Sequence, residues 1–268
     1  MSLNVTARRF SGLCRIGRPL GQGSRRILRQ LADLIIPPTC LACHTPLSQH
    51  DSVCASCWAG INFIRAPLCD RLGLPMPFDI GGTMISAAAA ANPPHYDRAR
   101  AVAHYAGVMR EMILAFKYGD THHARQLFGR WLTASGAQLI EHSDVIIPVP
   151  MHRRRLLARR FNQAAILARE LARTSSRLYR PQLLLRTRST PAQVGLTRDQ
   201  RRRNLAGAFT VPARRRKHVA GQRILLIDDV ITTGSTLNAC ARALRRAGAV
   251  HVDALALAIV TDDAVITL

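Results

Sequence analysis

The 268-residue sequence is poor in acidic and aromatic residues, and it has no long uncharged apolar run. No stretch reaches the roughly 18 apolar residues that mark a membrane-spanning helix. No continuous apolar segment follows the N-terminal arginines, so a secretory signal is not evident. We therefore expect a soluble, cytoplasmic protein. Aromatic residues make up only 5% of the chain, which gives no sign of a stacking platform for single-stranded nucleic acid.

Two common nucleotide-binding motifs are also missing. The sequence contains no G-x-x-x-x-G-K-[ST], which excludes a P-loop, and no G-x-G-x-x-G after a predicted strand, so a dinucleotide-binding fold has no support. Paired aspartates also occur in phosphoacceptor receiver domains, where they open the domain. Here only 39 residues follow Asp229, which is too little chain for such a domain.

Positive charge is abundant and concentrated in one segment. The chain has 38 Lys and Arg residues against 16 Asp and Glu, a net charge of +22. Of the basic residues, 20 lie in residues 151–223, where the acidic residues are Glu170 and Asp199. Such a segment attracts pyrophosphate, nucleotides or a nucleic-acid backbone. A solvated surface is the alternative for any single arginine. The densest clusters are Arg201, Arg202 and Arg203, and Arg214, Arg215, Arg216 and Lys217.

Four of the seven cysteines have the spacing of zinc ligands. The sequence CLAC supplies Cys40 and Cys43, and CASC supplies Cys54 and Cys57. Two such turns present four thiolates to one point, so we predict a structural zinc site. A redox dithiol is the alternative for either motif alone, but it does not explain why there are two. An odd number of cysteines without a secretory signal argues against a disulfide framework.

The remaining sequence predicts three regions. Residues 24–36 have the pattern of an amphipathic helix, which two prolines end, and the cysteine module runs to about residue 75. We therefore define residues 24–75 as an N-terminal module and residues 76–95, rich in Pro, Gly and Ala, as a linker or covering segment. From residue 96 to residue 268 predicted strands alternate with helices, which indicates an α/β fold with a parallel sheet. We find no internal repeat and no coiled-coil heptads.

The sequence RILLIDDVITTGSTL, residues 223–237, combines an aliphatic strand, two aspartates and a turn of small residues. A helical pattern follows, so the turn lies at a helix N-terminus. Backbone N–H groups at such a turn bind phosphate, and the carboxylates beside it are ligands for a polyol or a metal.

This stretch resembles the ribose-phosphate motif of type I phosphoribosyltransferases. Further blocks, YAGVMREMILAFKYGD, IIPVPMHRRRLLARRFNQA and RTRSTPAQVGLTRDQRRRNLAGAF, together with the tandem C-x-x-C module, resemble the ComF family over residues 28–260. This family includes proteins linked to competence and DNA uptake and others named for gluconate utilisation. The resemblance implies that residues 96–268 form a type I phosphoribosyltransferase domain preceded by a small zinc-ribbon-like module.

The resemblance also implies the roles of individual residues. Asp228 and Asp229 would hold the ribose hydroxyls of phosphoribosyl pyrophosphate, with Mg²⁺ nearby, as the catalytic pair. The residues implied to bind the substrate are Thr232, Thr233, Gly234, Ser235, Thr236, Arg153, Arg159 and Lys117. For Lys117, an ordinary position at a helix end is the alternative. Asn162 is predicted either to cap the following helix or to touch the ligand. Residues 186–209 are expected to form a flap over the site.

Two positions depart from the family pattern. Arg160 occupies a place where the family usually has Gly, and Gly permits backbone angles that arginine resists. A further cysteine pair of the family is reduced to Cys69, because Leu72 stands at the other position. Four cysteines are still enough for one zinc ion.

Two classes of function follow from these patterns. The first is a Mg²⁺-dependent phosphoribosyltransferase, an enzyme of pentosyl transfer that binds phosphoribosyl pyrophosphate and passes the sugar to an unidentified acceptor. The second is a non-catalytic DNA-binding protein that uses the basic segment, residues 151–223, on the same fold. The intact acidic pair and turn favour the enzyme, since DNA binding alone would not require them.

Overall fold

The computed structural model describes residues 37–79, 81–118, 124–159, 161–188, 205 and 207–261. The predicted helix at residues 24–36, the position of Arg160 and most of the predicted flap lie outside these residues. Residues Thr39–Leu268 form one compact unit. Of the other unit, Met1–Pro38, only Pro37 and Pro38 are described.

A parallel sheet lies at the centre of this unit. The strands of the described chain are β1 (Ala99–His104), β2 (Val145–Pro148), β3 (Leu178–Tyr179), β4 (Leu185–Arg186), β5 (Phe209–Thr210), β6 (Arg223–Ile231) and β7 (His251–Ile259). Five of them form the sheet in the order β1-β7-β6-β2-β3, and every neighbouring pair is parallel. The short strands β4 and β5 pair with each other in antiparallel fashion. The predicted parallel α/β fold is therefore confirmed.

Helices connect and cover the strands. They are α1 (Ala55–Ala59), α2 (Ala87–Ala91), α3 (Gly107–Tyr118), α4 (Ala124–Ser135), α5 (Ala137–Glu141), α6 (Arg153–Arg159), α7 (Gln163–Ser175) and α8 (Ser235–Arg246), with a 3₁₀ helix at Ala213–His218. Among the described residues, no helix is both long and apolar enough to cross a membrane.

The two faces of the sheet bury separate apolar clusters. In β6, Ile224 and Leu226 pack into one cluster, which includes the apolar face of α8. Leu225 and Ile227 point to the other cluster, which includes apolar residues of α3, α4 and α7. A strand buried on both faces needs an uninterrupted aliphatic run, which is the pattern that the sequence has here.

Strand β6 is longer than the aliphatic run predicts. The sequence suggests that the strand ends before the acidic pair, whereas the structure continues β6 to Ile231. Asp228 pairs with Ala256 of β7, and Val230 pairs with Ala258, so the ladder on this side satisfies the backbone of the polar residues. On the other side β2 stops at Pro148, which pairs with Ile227. The acidic pair therefore lies beyond the end of β2 but within the β6–β7 ladder.

The cysteine module packs against one edge of this sheet. Phe63 forms an antiparallel bridge with Ala103 of β1, and its ring lies 5.5 Å from the ring of Trp131 on α4. Trp58, at the end of α1, lies 4.6 Å from Phe63 between ring centroids. The aromatic contacts place the module beside β1 and α4.

Candidate functional site

Asp228 and Asp229 belong to opposite faces of β6, because successive side chains of a strand alternate. The Asp229 carboxylate lies 3.1 Å from the Lys117 Nζ atom, at the end of α3. The two carboxylates also fix the local backbone, since Asp228 Oδ1 accepts the N–H of Asp229 at 2.9 Å and Asp229 Oδ1 accepts that of Val230 at 2.7 Å. These hydrogen bonds orient the two carboxylates beyond the end of β2.

The charge of this pair is unfavourable in the free protein. Burial and the neighbouring charge of Asp229 raise the pKa of Asp228 well above its ordinary value, while Lys117 opposes the shift. The two carboxylates repel each other and are partly shielded from water. Hydrogen-bond donors or a cation would therefore stabilise their ionised forms. Strongly shifted pKa values of this kind cluster at functional sites, which makes the pair a candidate ligand site.

The small-residue turn follows β6 directly. Gly234 adopts a φ of +68°, and α8 begins at Ser235. The Thr233 and Ser235 hydroxyl oxygens lie 2.9 Å apart, and the side chains of Thr233 to Thr236 are partly exposed while that of Thr232 is exposed. The first N–H groups of α8 lack partners within the helix, as at any helix N-terminus. The turn thus presents hydroxyls and backbone donors beside the acidic pair.

Lys117 joins the site through tertiary structure. Its Nζ atom lies 6.0 Å from the centroid of the Tyr105 ring, in addition to its ion pair with Asp229. The carbonyl of Lys117 accepts a hydrogen bond from the Gln163 side chain at 3.1 Å, which ties the end of α3 to the start of α7. The structure therefore brings together Lys117 and the acidic pair, which are far apart in the sequence.

The two predicted arginines take different positions. Arg153 begins α6 and is exposed, and its guanidinium has no contact with the acidic pair among those that the structure records for the described residues. Arg159 ends α6, with its guanidinium 5.3 Å from the centroid of the Tyr118 ring and 3.1 Å from the Tyr118 hydroxyl. Asn162 caps α7 by accepting the N–H of Ala164 at 3.1 Å. The capping interpretation of Asn162 is the one that the structure supports.

Two residues that lie near the site were not predicted from the sequence. A Cβ atom added to Gly234 would lie 3.3 Å from the hydroxyl of Tyr96, a buried residue upstream of β1. Arg186 lies within the predicted flap, but the sequence predicted no role for this residue. Burial and the nearby Arg155 lower the pKa of its guanidinium, while the charge of Asp228 opposes this. No local pattern marks either residue, because both reach the site from distant parts of the chain.

The four paired cysteines form a cluster. The Sγ atoms of Cys40, Cys43, Cys54 and Cys57 all lie within 4.8 Å of one another. Zn–S bonds of about 2.3 Å in a tetrahedron place the sulfurs roughly 3.8 Å apart, so this cluster fits one zinc ion. Backbone N–H groups also point to the sulfurs, for example that of Cys54 to Cys40 Sγ at 3.3 Å. The structure thus confirms that the four predicted zinc ligands lie together in one cluster.

The pKa values of two of these cysteines shift in opposite directions. The hydroxyl of Ser56 and the N–H of Cys57 lower the pKa of Cys54 to about 6. Burial and hydrogen bonds with the other three thiols raise the pKa of Cys57. A bound cation offsets the repulsion among several thiolates, which is why such clusters hold zinc.

The structure describes one of the two basic clusters that the sequence contains. Arg214, Arg216 and Lys217 are exposed on the 3₁₀ helix at Ala213–His218, and Arg215 donates to the carbonyl of Gln182. The cluster at residues 201–203 lies outside the described residues.

Two protein-family models match the chain. A double zinc ribbon domain matches residues 31–89, and a phosphoribosyl transferase domain matches residues 161–263. The second match contains the acidic pair and the small-residue turn, and the first contains all four clustered cysteines.

Curated relatives match most of the chain. The DNA utilization protein YhgH of Escherichia coli O157:H7 is 31% identical over 228 residues, which is 82% of this chain and 96% of that protein. The Competence protein F of Haemophilus influenzae is 32% identical over 170 residues, 62% of this chain and 74% of that protein. The Competence protein ComFC of Bacillus subtilis is 24% identical, over 78% of this chain and 89% of that protein.

Solved structures of other proteins are similar over about half of the chain. A glutamine phosphoribosylpyrophosphate amidotransferase from B. subtilis covers 54% of this chain and 30% of its own, with 18% identity and a TM-score of 0.35. A purine phosphoribosyltransferase from Pyrococcus horikoshii covers 49% of this chain and 73% of its own, with 19% identity and a TM-score of 0.32. On its relatives and its matched domains, the chain belongs to the ComF family, with a zinc-ribbon region followed by a phosphoribosyltransferase-type domain.

Proposed function

We propose that this protein binds phosphoribosyl pyrophosphate at the carboxyl end of β6 and transfers its phosphoribosyl group to an acceptor that is not yet identified. One observation carries the proposal. The repelling pair Asp228 and Asp229, of which Asp229 is ion-paired to Lys117, lies directly before a turn that presents hydroxyls and the N-terminus of α8. A sugar phosphate matches this order, because the carboxylates accept its hydroxyls while the turn binds its phosphate.

Each part of the site has a distinct role in this proposal. Asp228 and Asp229 accept hydrogen bonds from the two ribose hydroxyls, and residues 232–236 bind the 5′-phosphate. Lys117 holds Asp229 in place and lowers the net negative charge of the pair. The carboxylates are oxygen donors of the kind that Mg²⁺ prefers, and Mg²⁺, when bound, neutralises charge on the pyrophosphate.

The arginines serve the leaving group. When the bond between the sugar and the pyrophosphate lengthens, negative charge grows on the pyrophosphate and positive charge grows on the sugar. Fixed cations stabilise that pyrophosphate charge. Arg159, which Tyr118 holds, and the exposed Arg153 lie on the helix that follows β2, whose carboxyl end adjoins the acidic pair. They are the side chains that we assign to this task.

Thermal unfolding with and without ligand tests the proposed site. A ligand present at 100 times its Kd stabilises a protein by about 2.7 kcal/mol, which raises the Tm of a chain of this size by roughly 5 to 10 °C. We expect this shift for the wild type with phosphoribosyl pyrophosphate and Mg²⁺. The variant Asp228→Asn with Asp229→Asn should fold but show no shift.

A matched control comes from the other end of the same strand. Asp144 forms an ion pair of 2.6 Å with Arg223, the first residue of β6. The variant Asp144→Asn should keep the full ligand-induced shift, because its carboxylate lies at the amino end of the strand. An equal shift in the wild type and in the double Asp228 and Asp229 variant would place the ligand elsewhere.

A second function, DNA binding, has its own supporting observation. The 3₁₀ helix at Ala213–His218 exposes Arg214, Arg216 and Lys217 without a carboxylate partner among the ion pairs of the described residues. Relatives carry the names of a DNA utilization protein and of competence proteins. We infer that this basic surface binds the phosphates of DNA, in addition to the small-ligand site, whether or not catalysis is retained.

A further inference from the structure

The chain segment after the cysteine cluster repeats the backbone of the cluster itself. We name residues 39–60 the first ribbon and residues 68–79 with 81–92 the second ribbon. Each begins with a bridged turn, Thr39 with Pro46 and Leu68 with Pro75. Both turns close with the same two hydrogen bonds, Cys40 N to Thr45 O and His44 N to Cys40 O in the first, and Cys69 N to Leu74 O and Gly73 N to Cys69 O in the second.

The second halves of the two ribbons also correspond. The short helix α1 follows Cys54, whose sulfur accepts the N–H of Cys57 at 3.4 Å. The short helix α2 follows Ser86, whose hydroxyl accepts the N–H of Ala89 at 3.3 Å. The two segments therefore repeat one backbone pattern, which the sequence was not expected to contain.

Cross-connections within each ribbon complete the correspondence. The N–H of Cys54 donates to the sulfur of Cys40 at 3.3 Å, and the N–H of Ser86 donates to the sulfur of Cys69 at 3.3 Å. The N–H of Leu41 donates to the carbonyl of Ser52, and in the second ribbon Asp70 and Met84 are joined in the same way.

This correspondence assigns a counterpart to every zinc ligand. The four positions held by Cys40, Cys43, Cys54 and Cys57 in the first ribbon are held by Cys69, Leu72, Ser86 and Ala89 in the second. One thiol, one hydroxyl and two hydrocarbon side chains do not form a zinc site, since structural zinc needs four sulfur or imidazole ligands. We propose that the second ribbon folds without metal, so that the protein holds one zinc ion although its family region is a double zinc ribbon.

Docking on the sheet replaces the metal in the second ribbon. Arg100 of β1 donates to the Asp70 carboxylate at 2.6 Å and to the Asp70 carbonyl at 3.0 Å. A Cβ atom on Gly73 would lie 2.5 Å from the Ala99 carbonyl oxygen, so the turn lies directly against the strand backbone. The Cys69 side chain is fully buried. These contacts supply the stability that zinc gives to a module too small to build its own core.

The second ribbon leads directly into the candidate ligand site. The backbone N–H of His95, a few residues after α2, donates to the side chain of Asn238 on α8 at 2.5 Å. Tyr96 follows, with its hydroxyl beside Gly234 of the phosphate-type turn. The segment that directly follows the second ribbon therefore contacts the turn and α8, whereas the metal-dependent ribbon packs against Trp131 on α4.

Metal counting on intact protein tests this inference without reference to phosphoribosyl pyrophosphate. We expect one zinc per chain in the wild type by mass spectrometry, and the same content in Cys69→Ser. The triple variant Leu72→Cys, Ser86→Cys and Ala89→Cys should bind two, because it completes a second set of four thiols. A control with Leu72→Ser and Ala89→Ser changes two of the same positions without adding thiols and should stay at one.

Hydrogen exchange gives an independent answer if the triple variant does not fold. After treatment of the wild type with a zinc chelator, the amides of Leu41 and Cys57 should lose protection, while those of Asp70 and Ala89 keep it. Two zinc ions in the wild type, a loss of zinc in Cys69→Ser, a folded triple variant with one zinc, or equal loss of protection in the two ribbons would overturn the inference.

Discussion

At the scale of single residues, Asp228 shows the conflict between stability and ligand binding. Burial and the charge of Asp229 raise its pKa, so its ionised form is unfavourable in the folded protein. A carboxyl with a raised folded-state pKa destabilises the fold at neutral pH, and this penalty disappears as the pH falls below the pKa of the unfolded chain. This unfavourable charge lies at the candidate ligand site, where a bound ligand would offset the penalty.

The first prediction is that Asp228→Asn makes the free protein more resistant to urea at pH 7.5. The amide removes the charge repulsion but still accepts the N–H of Asp229. The difference from the wild type should be smaller at pH 5.5 than at pH 7.5, because the penalty of a raised folded-state pKa decreases as the pH falls. Equilibrium urea unfolding at the two pH values measures both effects.

Asp144→Asn is the matched control for this experiment. Hydrogen bonds with Arg223 lower the pKa of Asp144, which is opposite to the shift at Asp228. This variant should therefore unfold at a lower urea concentration than the wild type at pH 7.5. A loss of stability in Asp228→Asn similar to that in Asp144→Asn would show that Asp228 is an ordinary structural carboxylate.

At the scale of the elements, the turn between β6 and α8 depends on one glycine. Gly234 has a φ of +68°, where a side chain costs about 1 to 2 kcal/mol, and the Tyr96 hydroxyl occupies the space that a Cβ would approach. A side chain at residue 234 would therefore strain the turn and displace its N–H groups and hydroxyls.

We predict that Gly234→Ala lowers the free energy of unfolding by roughly 1 to 2 kcal/mol and abolishes the thermal shift by phosphoribosyl pyrophosphate. Gly221→Ala is its control, because Gly221 has a φ of +75° but no atom within 4 Å of an added Cβ. This control should lose similar stability and keep the shift. Unchanged ligand binding in Gly234→Ala would mean that the turn does not bind the phosphate.

The elements of the sheet were largely predictable from the sequence, but the site was predictable only in part. The sequence predicted that strands alternate with helices from residue 96 onward, and the structure has this alternation, for example in β1, α3 and α7. The acidic pair and turn were found because their order is local. The ion pair of Lys117 with Asp229 needs the tertiary fold, so only the family resemblance indicated Lys117.

The second ribbon shows why local patterns fail. Its ligand positions contain Leu72, Ser86 and Ala89, which carry no metal-binding signal, so the composition of residues 76–95 suggested a linker or covering segment. In the structure this segment contains α2 and bonds to Cys69 through backbone groups that any residue has. The two ribbons share a backbone pattern although the side chains at their ligand positions differ.

At the scale of the whole molecule, the net charge of +22 is larger than the positive charge needed to bind one pyrophosphate. We predict that the protein binds DNA with little sequence preference, and that affinity falls steeply as salt rises because phosphate contacts release counterions. Replacing Arg214, Arg216 and Lys217 by serine should weaken binding and reduce the salt slope by up to about 3. Gel-shift titrations at two salt concentrations measure both.

The control variant removes the same charge elsewhere. Arg110, Arg125 and Arg246 are exposed and lie outside residues 151–223, so serine at these three positions should have a smaller effect on DNA binding. Equal effects of the two triple variants would mean that DNA responds to net charge alone. Undetectable binding at low salt would remove DNA binding from the functions of this protein.

The central claim is that the carboxyl end of β6 is a binding site for phosphoribosyl pyrophosphate. Isothermal titration calorimetry of the wild-type protein with this ligand, in buffers with and without Mg²⁺, tests the claim most directly. The account predicts saturable binding with one ligand per chain when Mg²⁺ is present and much weaker binding when it is omitted. No binding in either buffer, or binding that survives unchanged in the Asp228→Asn and Asp229→Asn double variant, would contradict it.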